Sequence, residues 1–202
     1  QAYIQADGTA VCWEDGTVLG EDFIAVSNGF FPLGLKADGT MWTWYGEYVS
    51  KMEWFTRDPD PDPVQIASGV RQICNFIYLK EDGSVWSLNP VAGLPEITDG
   101  TCYRVMDGVV AISEQEYTGL ALKEDGTLWS WNVNPATEGG DLGRAGSNTP
   151  GKVMDNVAHV SGNLILRTDG TLWAWGPDNF GARGNGSASG DGAVPVKVLD
   201  RV

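Results

Sequence analysis

Basic residues are scarce in this chain: 13 Lys and Arg stand against 27 Asp and Glu, for a formal net charge of −14. The few cations are scattered rather than drawn into a stripe, which excludes the clustered positive surface a nucleic-acid partner needs. The excess acid reads as a solvated surface that favours solubility and would steer toward basic partners. Histidine occurs once, as His159, with no second metal ligand or nucleophile in prospect. Its counterparts in the repeat described below are Gln72, Ala111 and Ala25, so it reads as an ordinary strand residue. Cysteine occurs three times, as Cys12, Cys74 and Cys102, without C-x-x-C spacing. That is too few for a disulfide framework and wrong for a zinc site, leaving buried free thiols that act as small apolar residues. No apolar run approaches the ~18 residues of a membrane span. Amphipathic helical periodicity is absent, as are Gly-x-Ser-x-Gly, His-Glu-x-x-His, phosphate-loop and dinucleotide motifs. The chain opens at Gln1 with no charged or apolar leader segment, consistent with prior removal of one. The expectation is a binding protein with no catalytic residues, no cofactor and no metal.

What the chain has in excess is glycine, 27 residues, and tryptophan, nine. Both follow a repeat. Asp-Gly recurs at Asp7-Gly8, Asp38-Gly39, Asp82-Gly83, Asp125-Gly126 and Asp169-Gly170, followed each time by Thr, or by Ser84 in the third copy. The last four copies lie 44, 43 and 44 residues apart. The fullest copy, residues 120–131, reads Leu-Ala-Leu-Lys-Glu-Asp-Gly-Thr-Leu-Trp-Ser-Trp. Asp-Gly between apolar runs predicts a β-hairpin with a two-residue type I′ turn. That turn sets Leu122 opposite Trp129 and Leu120 opposite Trp131. It likewise sets Leu166 opposite Trp173, Leu164 opposite Trp175, Leu79 opposite Trp86, Ile77 opposite Leu88, Leu35 opposite Trp42 and Leu33 opposite Trp44. In the worn first copy it pairs Ile4 with Val11 and Ala2 with Trp13. Cross-strand partners share a face, so each hairpin would gather its Leu and Trp into one apolar patch.

A strand is expected before each hairpin, at Phe23–Val26, Val70–Ile73, Val109–Ile112 and Val157–Val160, and another after it, clearest at Val194–Leu199. Four short strands per repeat of about 44 residues are the signature of a propeller blade. The fold class is therefore all-β, a β-propeller of four-stranded blades. It forms a single repeat domain over 1–202, with hairpins near 2–13, 33–44, 77–88, 120–131 and 164–175.

The residues Thr168-Asp169-Gly170-Thr171-Leu172-Trp173-Ala174-Trp175-Gly176 and the Gly-rich stretch Asp178 to Gly186 resemble the regulator-of-chromosome-condensation repeat. The family is also called alpha-tubulin-suppressor-like repeats in bacteria. The fourth copy echoes the pattern at Gly140-Asp141-Leu142-Gly143-Arg144-Ala145-Gly146, then Pro150. The second and third copies depart from it, because residues 45–63 and 89–101 replace the Gly-rich stretch. The resemblance implies a ring, usually of seven blades, where five hairpins are visible here. The chain opens on the second strand of a repeat and stops at the start of a first strand. Ends offset in this way suit a ring fastened by pairing the last strand with the first blade. About five residues of that shared strand are missing by comparison with Val157 to Gly162, so the chain is expected to be part of a longer one.

The resemblance further implies an interaction module. Bacterial secreted relatives bind proteins through loops on one propeller face, so an extracellular or cell-surface location is expected here, with a cytoplasmic one left open. Nucleotide exchange on a small GTPase is a remote alternative, since no residue matches the exchange-promoting elements and the acidic charge disfavours chromatin. A carbohydrate-binding propeller is the nearer alternative. The residues expected to build the repeat core are Leu35, Trp42, Trp44, Leu79, Trp86, Leu120, Leu122, Trp129, Trp131, Leu166, Trp173 and Trp175. Trp54 alone among the tryptophans is off-frame. With Tyr48, Met52 and Phe55 it lies in the 45–63 insertion, an aromatic loop where contacts to a protein partner are expected. The alternating Asp and Pro of 57–63 hold the chain extended and spread the carboxylates, so a stiff solvated loop is expected there, not a calcium site.

Overall fold

The computed structural model describes residues 2–13, 15–28, 32–44, 63–88, 102–115, 118–133, 149–175, 195–200 and 202. Every regular element among them is a β-strand, and none is a helix long and apolar enough to cross a membrane. The first sheet holds β1 (Ala2–Ile4), β2 (Ala10–Cys12) and β3 (Val18–Gly20). The second holds β4 (Phe23–Asn28), β5 (Pro32–Lys36), β6 (Met41–Thr43) and β7 (Val64–Ala67). The third holds β8 (Val70–Ile73), β9 (Ile77–Lys80), β10 (Val85–Ser87) and β11 (Tyr103–Met106). The fourth holds β12 (Val109–Gln115), β13 (Thr118–Lys123), β14 (Leu128–Asn132) and β15 (Gly151–Met154). The fifth holds β16 (Val157–Ser161), β17 (Leu164–Arg167), β18 (Leu172–Ala174) and β19 (Val196–Leu199). Each sheet is an antiparallel meander of consecutive strands, and the expected opening strands all form. The first three sheets fall in one compact unit and the last two in another.

The hairpin register differs from the expected one by a single residue in every copy. Leu122 faces Leu128, Ala121 faces Trp129, and Leu120 faces Ser130. Leu35 likewise faces Met41, Leu79 faces Val85, Leu166 faces Leu172, and Ile4 faces Ala10. The cause is the turn. Gly126 N–H donates to Lys123 O (3.0 Å) while Lys123 N–H donates to Thr127 O (2.9 Å), and the same two bonds recur at Gly8, Gly39, Gly83 and Gly170. Only the Gly of each Asp-Gly has positive φ, between 76° and 88°. These are three-residue loops, a type I turn followed by a left-handed Gly, not two-residue type I′ turns.

The shift has a structural consequence. Each hairpin carries Leu on one face and Trp on the other, so a sheet can be apolar on both sides and stack between two neighbours. Leu33, Leu35 and Met41 of the second sheet pack against Val70, Tyr78 and Trp86 of the third. Leu120, Leu122 and Leu128 of the fourth pack against Val160, Ile165 and Trp175 of the fifth. Ala2, Ala10 and Leu19 of the first meet Phe23 and Trp44 of the second. With Leu and Trp on one face, as expected from a type I′ turn, stacking would leave the other face of each sheet without apolar cover.

The same turns tie sheet to sheet. Gly8 O accepts from Phe23 N–H, Gly39 O from Val70 N–H, and Gly126 O from Val157 N–H, each at 2.9 Å. The turn glycine therefore serves the hairpin through its φ and the neighbouring sheet through its carbonyl.

Candidate functional site

The chemistry-bearing side chains of the described residues converge on the hairpin ends, where one arrangement recurs in four sheets. In the third sheet, Ser84 N–H and O–H both donate to Asp82 Oδ1 (2.9 and 2.5 Å), and Trp86 Nε1–H donates to Ser84 Oγ (2.8 Å). Asp38, Thr40 and Trp42 repeat the chain of bonds, as do Asp125, Thr127 and Trp129, and Asp169, Thr171 and Trp173. A cation covers each indole. Lys36 lies 5.2 Å from the Trp42 ring centre, Lys80 4.5 Å from Trp86, Lys123 4.9 Å from Trp129, and Arg167 5.9 Å from Trp173. In the first sheet Thr9 N–H donates to Asp7 Oδ1, and Val11 stands where the others have Trp, so no indole completes the chain of bonds.

These groups are chemically committed. The hydroxyl gives its proton to the carboxylate and uses a lone pair on the indole. The Ser84 or Thr hydroxyl, helped by the same residue's backbone N–H, holds each carboxyl below its usual value. A carboxylate so stabilised is a weak base, and its hydroxyl partner is a poor nucleophile. Four near-identical copies mark a turn clasp. Sequence reading recognised the Asp as a turn former, and the Thr or Ser after every Gly was the signal for the rest.

The structure places the expected core residues in two groups. Leu35, Trp44, Leu79, Trp86, Leu120, Leu122, Trp131 and Trp175 are buried, while Trp42, Trp129, Leu166 and Trp173 are half-buried. Trp44 donates its indole N–H to Leu19 O of the first sheet (2.7 Å). Cys102 is buried, but Cys12 and Cys74 are only half-buried, and none of the three is in a disulfide. His159 is exposed on β16 opposite Leu166. Among the described residues no three His, Cys, Asp or Glu side chains come together as a metal site. Tyr48, Met52, Trp54 and Phe55, the expected partner contacts, lie outside the described residues. So do residues 57–62 of the Asp-Pro run and the Gly-rich stretches 140–146 and 178–186.

Scans against protein-family models and curated proteins return no match. Solved structures do match. Human WBSCR16 aligns with a TM-score of 0.64 at 15% identity, covering 89% of this chain and 53% of that one. Prp20p from Saccharomyces cerevisiae, described with its binding to Gsp1p and histones, aligns at 0.63 and 19% identity, covering 98% and 60%. Yeast RCC1 (Prp20) bound to Kap60 aligns at 0.63 and 19%, covering 94% and 50%. The chain has the regulator-of-chromosome-condensation repeat fold. At these identities the likeness establishes architecture alone. The chain spans between half and three-fifths of the length of each of these structures. In this fold the repeated Asp, Thr or Ser, and Trp build the hairpin ends of the blades.

Proposed function

We propose that this chain is a non-catalytic protein-binding β-propeller module whose partner contacts lie on face loops, with Tyr48, Met52, Trp54 and Phe55 of the 45–63 insertion at their centre. The reading is supported by the fold neighbours, since Prp20p is described with Gsp1p, histones and Kap60 as protein partners. The chemistry of the repeat points the same way. Its carboxylates and hydroxyls bond one another in the turn clasps. Loops on a rigid scaffold are where recognition residues concentrate, and Trp and Tyr are the side chains that most often dominate binding energy.

Affinity capture from the source cell extract, quantified against a Trp54→Ala/Phe55→Ala variant, tests the proposal. A specific partner should be retained by the wild-type chain and lost by the variant, while the two unfold at nearly the same temperature. Undiminished capture by the variant would remove the insertion from the site.

A further inference from the structure

Among the described residues Asp precedes Gly at Asp7, Asp15, Asp38, Asp82, Asp107, Asp125 and Asp169. Such a step carries a reaction of its own. The backbone nitrogen of Gly attacks the side-chain Cγ of Asp, most readily in the neutral carboxylic acid, and the new N–Cγ bond closes a succinimide ring as water leaves. Water then opens the ring. Where it breaks the bond between that nitrogen and the Asp main-chain carbonyl carbon, the chain runs on through Cβ and Cγ and a free α-carboxylate remains. The product is isoaspartate, formed with no change of mass or oxidation state.

The fold restrains both reacting groups at every one of these steps except Asp107. Gly8, Gly16, Gly39, Gly83, Gly126 and Gly170 each donate their N–H to a carbonyl three or four residues back, at 3.0 or 3.1 Å. Oδ1 of the Asp before each accepts the backbone N–H of the Thr or Ser after it, at 2.9 or 3.0 Å. At Asp38, Asp82, Asp125 and Asp169 the hydroxyl of that residue, then its N–H, holds the carboxyl below its usual value. At Asp7 and Asp15 the N–H leads and the hydroxyl follows, with the same result. All of them are thereby kept as the anion, which resists attack.

Asp107 differs at both reacting groups. It is not without partners, but residue 109 is Val and supplies no hydroxyl to the carboxyl. Gly108 N–H meets no acceptor among the described residues. Gly108 has φ 71°, and nothing stands within 4 Å of where a Cβ would be, so no neighbour crowds the ring as it closes. Asp107 is exposed, so water reaches the ring to open it.

We infer that Asp107 is a site of isoaspartate formation in the folded protein, and that the hydrogen bonds of the Asp-Gly-Thr and Asp-Gly-Ser turns protect the other steps. The modification adds a main-chain carbon just before β12, whose first residue, Val109, is buried. It also displaces Gly108 O, which accepts from Glu124 N–H (3.0 Å), so the modified chain is less stable. The freed α-carboxylate is the group that an isoaspartyl methyltransferase esterifies with S-adenosylmethionine, which makes the aged chain a substrate for that class of enzyme.

The test is to age the chain in mildly acidic buffer, folded or in urea, and to locate isoaspartate by electron-transfer fragmentation of its peptides. In the folded chain it should accumulate at Asp107 and be lost from detection at Asp7, Asp15, Asp38, Asp82, Asp125 and Asp169. In urea all of these steps should accumulate it, because the protection belongs to the fold. The folded, aged chain should take up a methyl group at Asp107 from labelled S-adenosylmethionine. Its unfolding temperature should fall on ageing, and that of Asp107→Glu, whose ring would be the slower six-membered one, should fall less. Isoaspartate at the other steps of the folded chain as fast as at Asp107 would overturn the inference. Its absence from Asp107 after ageing that produces it there in urea, or an equal fall in unfolding temperature for Asp107→Glu, would overturn it as well.

Discussion

At the scale of single residues, the hydroxyl after each Asp-Gly decides how the hairpin end is held. Ser84 is buried, and so is the Trp86 indole whose N–H it accepts. Ser84→Ala removes that acceptor with almost no change of shape, so the loss is that of a buried donor left unpaired, about 1–3 kcal/mol. Chemical denaturation should show this cost for Ser84→Ala and little for Ser84→Thr, since the three other complete clasps use Thr40, Thr127 and Thr171. The partner carboxylate makes the clasp acid-labile. Asp82 is held below its usual 3.8 chiefly by the Ser84 hydroxyl, then by the Ser84 backbone N–H. A depressed folded value means the contribution is fully present above the unfolded value and is lost as pH falls through the folded one. Asp38, Asp125 and Asp169 are shifted the same way for the same reason. Wild-type stability should therefore drop as pH falls below about 4, and Asp82→Asn should flatten part of that drop. An Asp82→Asn chain as acid-sensitive as wild type would mean the clasp contributes nothing to the acid limb.

At the scale of strands and sheets, the position of small residues is set by the rings they face. A Cβ built on Gly34 would stand 2.4 Å from the Phe23 ring and 2.9 Å from the Trp44 ring. Gly34→Ala should therefore cost about 1–3 kcal/mol by overpacking. Combined with Phe23→Leu it should cost less than the two single changes added, because the contacts are shared. Additive losses in urea would show that crowding is not the reason for glycine there. Strand existence and order were legible in the sequence, because Asp-Gly spacing and the opening Val-rich segments carry them directly. Register was not. Asp-Gly suits a type I′ turn and equally a type I turn closed by a left-handed Gly, and the two differ by one residue in every downstream pair. The side-chain chain from Asp125 through Thr127 to Trp129 selects the longer loop. The candidate contacts at Tyr48, Met52, Trp54 and Phe55 were visible only as a break in the repeat.

At the scale of the molecule, stability should distribute as nearest-neighbour interfaces do in stacked repeats. Leu122 and Leu164 both lie on the Leu face of their hairpins, Leu164 two residues further from the turn than the counterpart of Leu122, and their surroundings differ. Leu122 is buried against the fifth sheet, whereas Leu164 points from the fifth sheet with 43% of its surface exposed. A truncation in a stacked interface loses transfer free energy and leaves a cavity, so Leu122→Ala should cost about 2–5 kcal/mol. At Leu164 the methyl groups are already half in water and no cavity closes over the gap, so Leu164→Ala should cost under about 1 kcal/mol. Urea unfolding would separate the two, and equal losses at both positions would show that stability does not follow the stacked interfaces.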